Sequence, residues 1–159
     1  MKQLELAKWL KRIIVIIAVI GLLVCFVIAP TIGRNIALTY PEFEYMFFPC
    51  LVFIWITAVP FYIALWNVWL ICNEISKDNS FCRENAARLK LISKLSVLEC
   101  ILYFVAIIIL LFLNLLHPSI LLLALSIIFV GIAIAIASAA LSHLVHKAYV
   151  LKEENDLTI

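Results

Sequence analysis

Glu99 is the residue of this chain whose chemistry is least in keeping with its surroundings. It is the single carboxylate in four apolar blocks, 13–33, 45–73, 95–116 and 120–146, which contain no Lys or Arg. A carboxylate in hydrocarbon costs roughly 3 kcal/mol unless it is paired, hydrogen-bonded or protonated. Counted from the ends of the blocks, Asn67 in the second and His143 in the fourth fall level with it, and Arg12 opens the first. The sequence therefore predicts an intramembrane polar layer of Glu99, His143, Asn67 and Arg12. Such a layer is either a structural lock that fixes helix register or a site that senses a ligand, a proton or a partner. His143 and His146, with Cys72 and Cys82 near the same side, are zinc-type ligands and make a metal site the alternative use of these residues. Their spacing is loose, so no metal and no other cofactor is expected. No block contains Asp, which excludes a membrane aspartyl dyad, and no Ser/His/Asp set can be assembled. The chain is expected not to be an enzyme.

The blocks that must position these residues define the class. Each is long enough to cross a hydrocarbon core of about 30 Å at ~1.5 Å per residue. A soluble fold of 159 residues could not bury a composition that is 67% hydrophobic, with a mean hydropathy of +1.18. The reading is an all-α integral membrane four-helix bundle in one domain, 1–159. Its spans are expected at about 11–32, 45–73, 93–116 and 119–146, with a C-terminal tail over 147–159. Basic residues flanking spans are retained in the cytoplasm. Eleven of the twelve lie in the N-terminal segment, the 73–94 connection and the tail, and Arg34 alone lies on the other side. Both termini and 73–94 should therefore be cytoplasmic, with 34–44 and the His117-Pro118-Ser119 turn outside. Residues 1–10 read as a short helix on the inner surface. The first block is too long for a signal peptide and no A-x-A site follows it, so it should be retained. Pro60, in the middle of the second block, should kink it. The five cysteines contain no C-x-x-C, and most should pack as small apolar fillers. Gly131, Ala135 and Ala139, four apart, form a small-residue stripe that His143 continues, so His143 should face the interior.

The 73–94 connection is the most informative polar segment. Asp78-Asn79-Ser80 is a turn signal, and Asn79 or Ser80 can cap the helix that follows. From Phe81 the stripe Phe81, Asn85, Leu89, Ile92, Ser96 and Glu99 repeats every three or four residues. This predicts one long helix from about Phe81 to Leu116. With the end of the second block it forms a cytoplasmic helical hairpin, in which Phe81, Glu84, Asn85 and Arg88 are the candidate site residues. Phe81 should pack at the helix start.

Residues 78–90, DNSFCRENAARLK, resemble the signature G-x-P-F-[S/T]-x-E-N-x-x-R-L-[R/K] of a bacterial four-span family, domain of unknown function 2975. Phe81, Glu84, Asn85, Arg88 and Leu89 match. Asp78 stands where that pattern has Gly, Ser80 where it has Pro and Cys82 where it has Ser or Thr. The resemblance implies a four-helix bundle in the bacterial inner membrane and no established activity. Members are often encoded beside small helix-turn-helix regulators, which implies membrane-linked regulation.

Three functions fit. The first is a non-enzymatic regulatory or interaction protein that docks a cytoplasmic partner, such as a small helix-turn-helix regulator, through 73–94. The second is a small transporter or ligand-binding bundle that uses Glu99. The third is an immunity-type protein against a membrane-active peptide. The lipid bilayer is a partner in all three, a homo-oligomer is compatible with each, and the charge pattern is too sparse for direct nucleic-acid binding.

Overall fold

The computed structural model describes residues 2–157, and all their regular structure is helical. Met1 and the last two residues of the expected tail, Thr158 and Ile159, lie outside the described residues. Four helical rods are long and apolar enough to cross a membrane. The first comprises α1 (Lys2–Leu23), a π-helical turn (Val24–Ile28) and α2 (Ala29–Thr39). The others are α3 (Glu44–Ser76), α4 (Arg83–Phe112) and α5 (Pro118–Leu157).

Pro30 accounts for the π turn. Its ring clashes with the carbonyl four residues back, and it has no N–H to give. The local register widens to i→i−5, with Ala29 N–H donating to Val24 O. In that register the partner of Cys25 O would be the missing N–H of Pro30. The indole Nε1 of Trp55 on α3 donates to Cys25 O instead, at 3.2 Å. A proline in one span is thus compensated by a tryptophan in the next. Two further contacts fasten this pair of rods: Tyr62 OH donates to Ala18 O at 2.8 Å, and the Lys11 ammonium lies 5.5 Å from the Trp69 ring centroid. Gly21 permits the Tyr62 contact, since a Cβ there would meet the hydroxyl at 2.6 Å.

The interface between α4 and α5 is built from small residues. Ser93 Oγ donates to Ala135 O at 2.8 Å, and Ser142 Oγ donates to Ala86 O at 2.7 Å. Cys100 Sγ lies 3.5 Å from Ile128 O. A Cβ on Gly131 would meet Cys100 Sγ at 2.6 Å, so the glycine lets the two backbones approach closely. The α5 residues Ala124, Ile128, Gly131, Ala135, Ser138 and Ser142 follow the alternating four-three spacing of an antiparallel helix seam.

Packing follows chain order. The first rod packs on α3, α3 on α4 and α4 on α5; among the described residues the first rod meets neither α4 nor α5, and α3 does not meet α5. The four expected helices are thus arranged as an open row. The physical reason is that apolar surface drives nothing together in lipid, so packing follows close backbone approach and interhelical hydrogen bonds. These join successive rods only. Three boundaries also change. The first rod stays helical to Thr39, which shortens the 34–44 connection to a turn around Pro41–Phe43. Residues 2–10 continue α1 without a break, so the short surface helix is not a separate element. The expected tail is the end of α5, helical to Leu157. α3 passes through Pro60 as one helix. All five cysteines are free thiols.

Candidate functional site

The connection between α3 and α4 carries a dense network of side-chain hydrogen bonds. α3 ends in a Schellman motif. Asn79 N–H donates to Glu74 O at 3.0 Å and Asp78 N–H to Ile75 O at 3.2 Å, with Asp78 in the left-handed region at φ 61°. The Glu74 carboxylate then closes over the turn, accepting from Lys77 Nζ at 3.0 Å and from Asn79 Nδ2 at 3.2 Å. Asn85, one turn into α4, is 1% exposed. Its Nδ2 donates to Ser80 O at 3.1 Å, and its Oδ1 accepts from Arg88 Nη1 at 3.0 Å. Arg88 Nη1 also reaches Leu70 O on α3 at 3.5 Å. A buried amide and a guanidinium thus tie the turn, the start of α4 and the last turns of α3 into one unit.

Of the four hairpin residues, Asn85 and Arg88 form this brace, while Phe81 and Glu84 are exposed. Phe81 does not pack at the helix start as expected; it is 56% exposed, because α4 begins at Arg83 and leaves Phe81 in the turn. Neither Asn79 nor Ser80 caps α4. Cys82 occupies that position with extended backbone and makes no side-chain cap bond. Its thiol is buried, and burial pushes its pKa up, so it is a poor nucleophile. The polar first turns of α4 lie alongside the far end of α5, where Ser142 bonds Ala86 and Tyr149 lies near Arg83 and Glu84.

The polar layer does not assemble. The bonds Ser93–Ala135, Ala86–Ser142 and Cys100–Ile128 all pair positions that sum to the same register. That register sets Glu99 opposite residue 129 of α5, about 21 Å along the helix from His143. On α3, the pairings Arg88–Leu70 and Phe53–Tyr103 put Asn67 about 13 Å from the level of Glu99. Asn67 is buried and satisfies itself, donating to Ile63 O at 2.8 Å. Arg12 is exposed on the first rod, which does not touch α4. Counting from block ends failed because α4 and α5 are helical well beyond their apolar stretches, so block ends are not level with each other. Glu99 is left with one oxygen, Oε1, buried and without a hydrogen-bond partner.

His143 is exposed rather than interior. A stripe at a strict spacing of four turns by about 40° per step around an α-helix, so from Gly131 to His143 it swings about 120° off the seam. The real seam alternates three and four and reaches Ser138 and Ser142 instead. That spacing is visible in the sequence and is the signal the four-apart reading passed over. His143 and His146 instead line an open groove with Arg83, Lys90 and Lys94. Cys72 and Cys82 are buried away from that groove, and the described residues hold no cluster of three or more His, Cys, Asp or Glu able to bind a metal ion. The alternative metal set His143, His146, Cys72 and Cys82 is not brought together.

Residues 31–159 match the family described as protein of unknown function DUF2975. The chain belongs to this family. It is also 29% identical over 153 residues to the uncharacterized membrane protein YoaS of Bacillus subtilis (strain 168), covering 95% of this chain and 96% of that protein. No solved structure matches. The geometry gives physical sense to the DUF2975 signature resembled by 78–90. The position written Gly is the left-handed Schellman residue, here Asp78. The position written Pro needs only its carbonyl, here Ser80 O bonded to Asn85. The position written Ser or Thr is the helix cap, here Cys82. Asn and Arg are the brace.

Proposed function

We propose that this DUF2975 protein is a non-enzymatic bacterial inner-membrane protein that docks a cytoplasmic protein on the face carrying Phe81 and Glu84. The termini and the 77–82 turn lie inside, in keeping with the eleven-to-one asymmetry of basic residues. The observation that carries the reading is a contrast within one signature. Asn85 and Arg88 are spent on holding the turn rigid, while Phe81, which the turn does not use, is held out 56% exposed beside the exposed Glu84. An aromatic side chain held on a rigid support binds at low entropic cost, and aromatic anchors dominate protein interfaces. The partner expected is a small regulator with an apolar pocket and a basic rim. The test is co-purification of tagged wild type, Phe81→Asp and Glu84→Arg from native cells. A defined cytoplasmic protein should accompany the wild type and be lost from both variants, while Arg34→Glu keeps it. Identical partner profiles in all four would refute the reading.

One observation supports a second reading. A buried carboxylate oxygen without a partner, Glu99 Oε1, suits a ligand- or proton-binding bundle. That reading requires Glu99→Gln to abolish a transport or binding activity in a protein that still folds.

A further inference from the structure

We infer that the groove between α4 and α5 is a binding site for an anionic phospholipid, holding its phosphate headgroup among Arg83, Lys90, Lys94, His143 and His146. The groove has a volume of about 540 Å³. It exists because its walls are small: Ala86 and Ala87 on α4 face Ala139 and Ser142 on α5. No acidic residue lines it. The hydroxyls on its floor are already committed to the helix seam, Ser93 to Ala135 O and Ser142 to Ala86 O. What remains to meet a ligand is three cations, Arg83, Lys90 and Lys94, and the imidazoles of His143 and His146. From Arg83 to Lys94 the cations span about 16 Å of helix, so they cross the headgroup layer of roughly 5–8 Å and continue into the cytoplasm.

Three features favour a lipid over a soluble anion. The first is position. Lys94 is the last cation before the apolar run of α4, so the groove straddles the edge of the hydrocarbon. The second is continuity. On α4 the spacing Lys90, Lys94, Val97, Ile101 keeps one face, and on α5 His143, Ala139, Ile136, Ile132 does the same. Val97, Ile101, Ile132 and Ile136 are all exposed, so the cationic groove runs into an apolar trough that can lie along an acyl chain. The third is access. Among the described residues α5 touches only α4, so no other helix of the chain covers this seam. Clustered basic residues at a membrane boundary attract anionic headgroups by roughly a factor of five per charge.

The test is native mass spectrometry of the delipidated full chain in neutral detergent, with phosphatidylglycerol or phosphatidylcholine added at equal concentration. Wild type should retain phosphatidylglycerol on the order of tenfold better. Lys90→Gln/Lys94→Gln should remove most of that preference, Lys90→Arg/Lys94→Arg should keep it, and the charge-matched control Lys8→Gln/Lys152→Gln should keep it too. Glycerol 3-phosphate, which carries the headgroup chemistry without the chains, should not displace the lipid at equal concentration. Equal retention of the two lipids by wild type would overturn the assignment without any variant. So would an equal loss in the control, or displacement by glycerol 3-phosphate, which would make the groove a plain phosphate site.

Discussion

Arg88 Nη1 donates to Asn85 Oδ1 at 3.0 Å and reaches Leu70 O, across the helix boundary, at 3.5 Å. Asn85 is in turn bonded to Ser80 O. Each group is held by another, so removing one leaves a buried polar atom unsatisfied. Asn85→Leu should therefore destabilise the protein by about 1–3 kcal/mol. Arg88→Glu should be at least as damaging, while Lys90→Glu, on an exposed position of the same helix, should change stability by less than about 0.5 kcal/mol. Thermal unfolding in detergent, followed by circular dichroism, checks all three. Equal and small effects at 85, 88 and 90 would contradict the brace.

Two of the three departures from the family signature, Asp78 and Cys82, should be improvable. Asp78 sits at φ 61°, where a side chain is strained and Gly is not. Asp78→Gly should raise stability by about 1 kcal/mol. Asn114, at φ 53° in the matching motif that ends α4, should respond in the same direction. Cys82→Ser should supply the missing oxygen cap and add about 0.5–1 kcal/mol. The same melting experiment reads these gains. A loss from Asp78→Gly would mean that the Asp carboxylate does more for the turn than the backbone strain costs.

Glu99 separates the structural role from the functional one. With Oε1 buried and unpartnered, the carboxylate contributes little to stability. Glu99→Leu should be neutral or stabilising by up to about 1 kcal/mol, because an unsatisfied buried polar group is removed. Marked destabilisation would show that Glu99 has a partner after all and would restore the polar-lock idea.

Cys82 should alkylate slowly at neutral pH. It is 5% exposed and its thiol is pushed up by burial, so little thiolate is available. Maleimide labelling of native protein should mark Phe81→Cys in a cysteine-free background much faster than Cys82 alone. Similar rates would mean that the turn opens readily and is not braced.

The membrane class, the number of spans and the position of the α3–α4 turn were legible because they rest on composition and punctuation. Four apolar blocks with a single charged residue among them, Glu99, admit one solvent, and Asp78-Asn79-Ser80 marks a turn. Asn85 and Arg88 were legible as candidate hairpin residues, but the bond between them was not. The polar layer was not. Which residues of different helices are level depends on the seam register, and that register is set by Ser93, Cys100 and Ser142 bonding backbone carbonyls on the facing helix. Block boundaries mark where charge stops, not where helices meet. His143 was misplaced by a related error, a four-residue stripe read where the seam alternates three and four. The open row was hidden because apolar residues point equally well at lipid and at another helix. The link from Pro30 to Trp55 needed the π turn, which no sequence period announces.

The most direct measurement of the central claim is in-cell photo-crosslinking with a photoreactive amino acid at position 81, using position 42 as the control. The account predicts a discrete adduct between position 81 and one cytoplasmic polypeptide, absent at position 42 and lost when Glu84→Arg is added. An adduct at position 42 but not at 81, or products at 81 confined to lipid, would contradict an inward-facing docking turn.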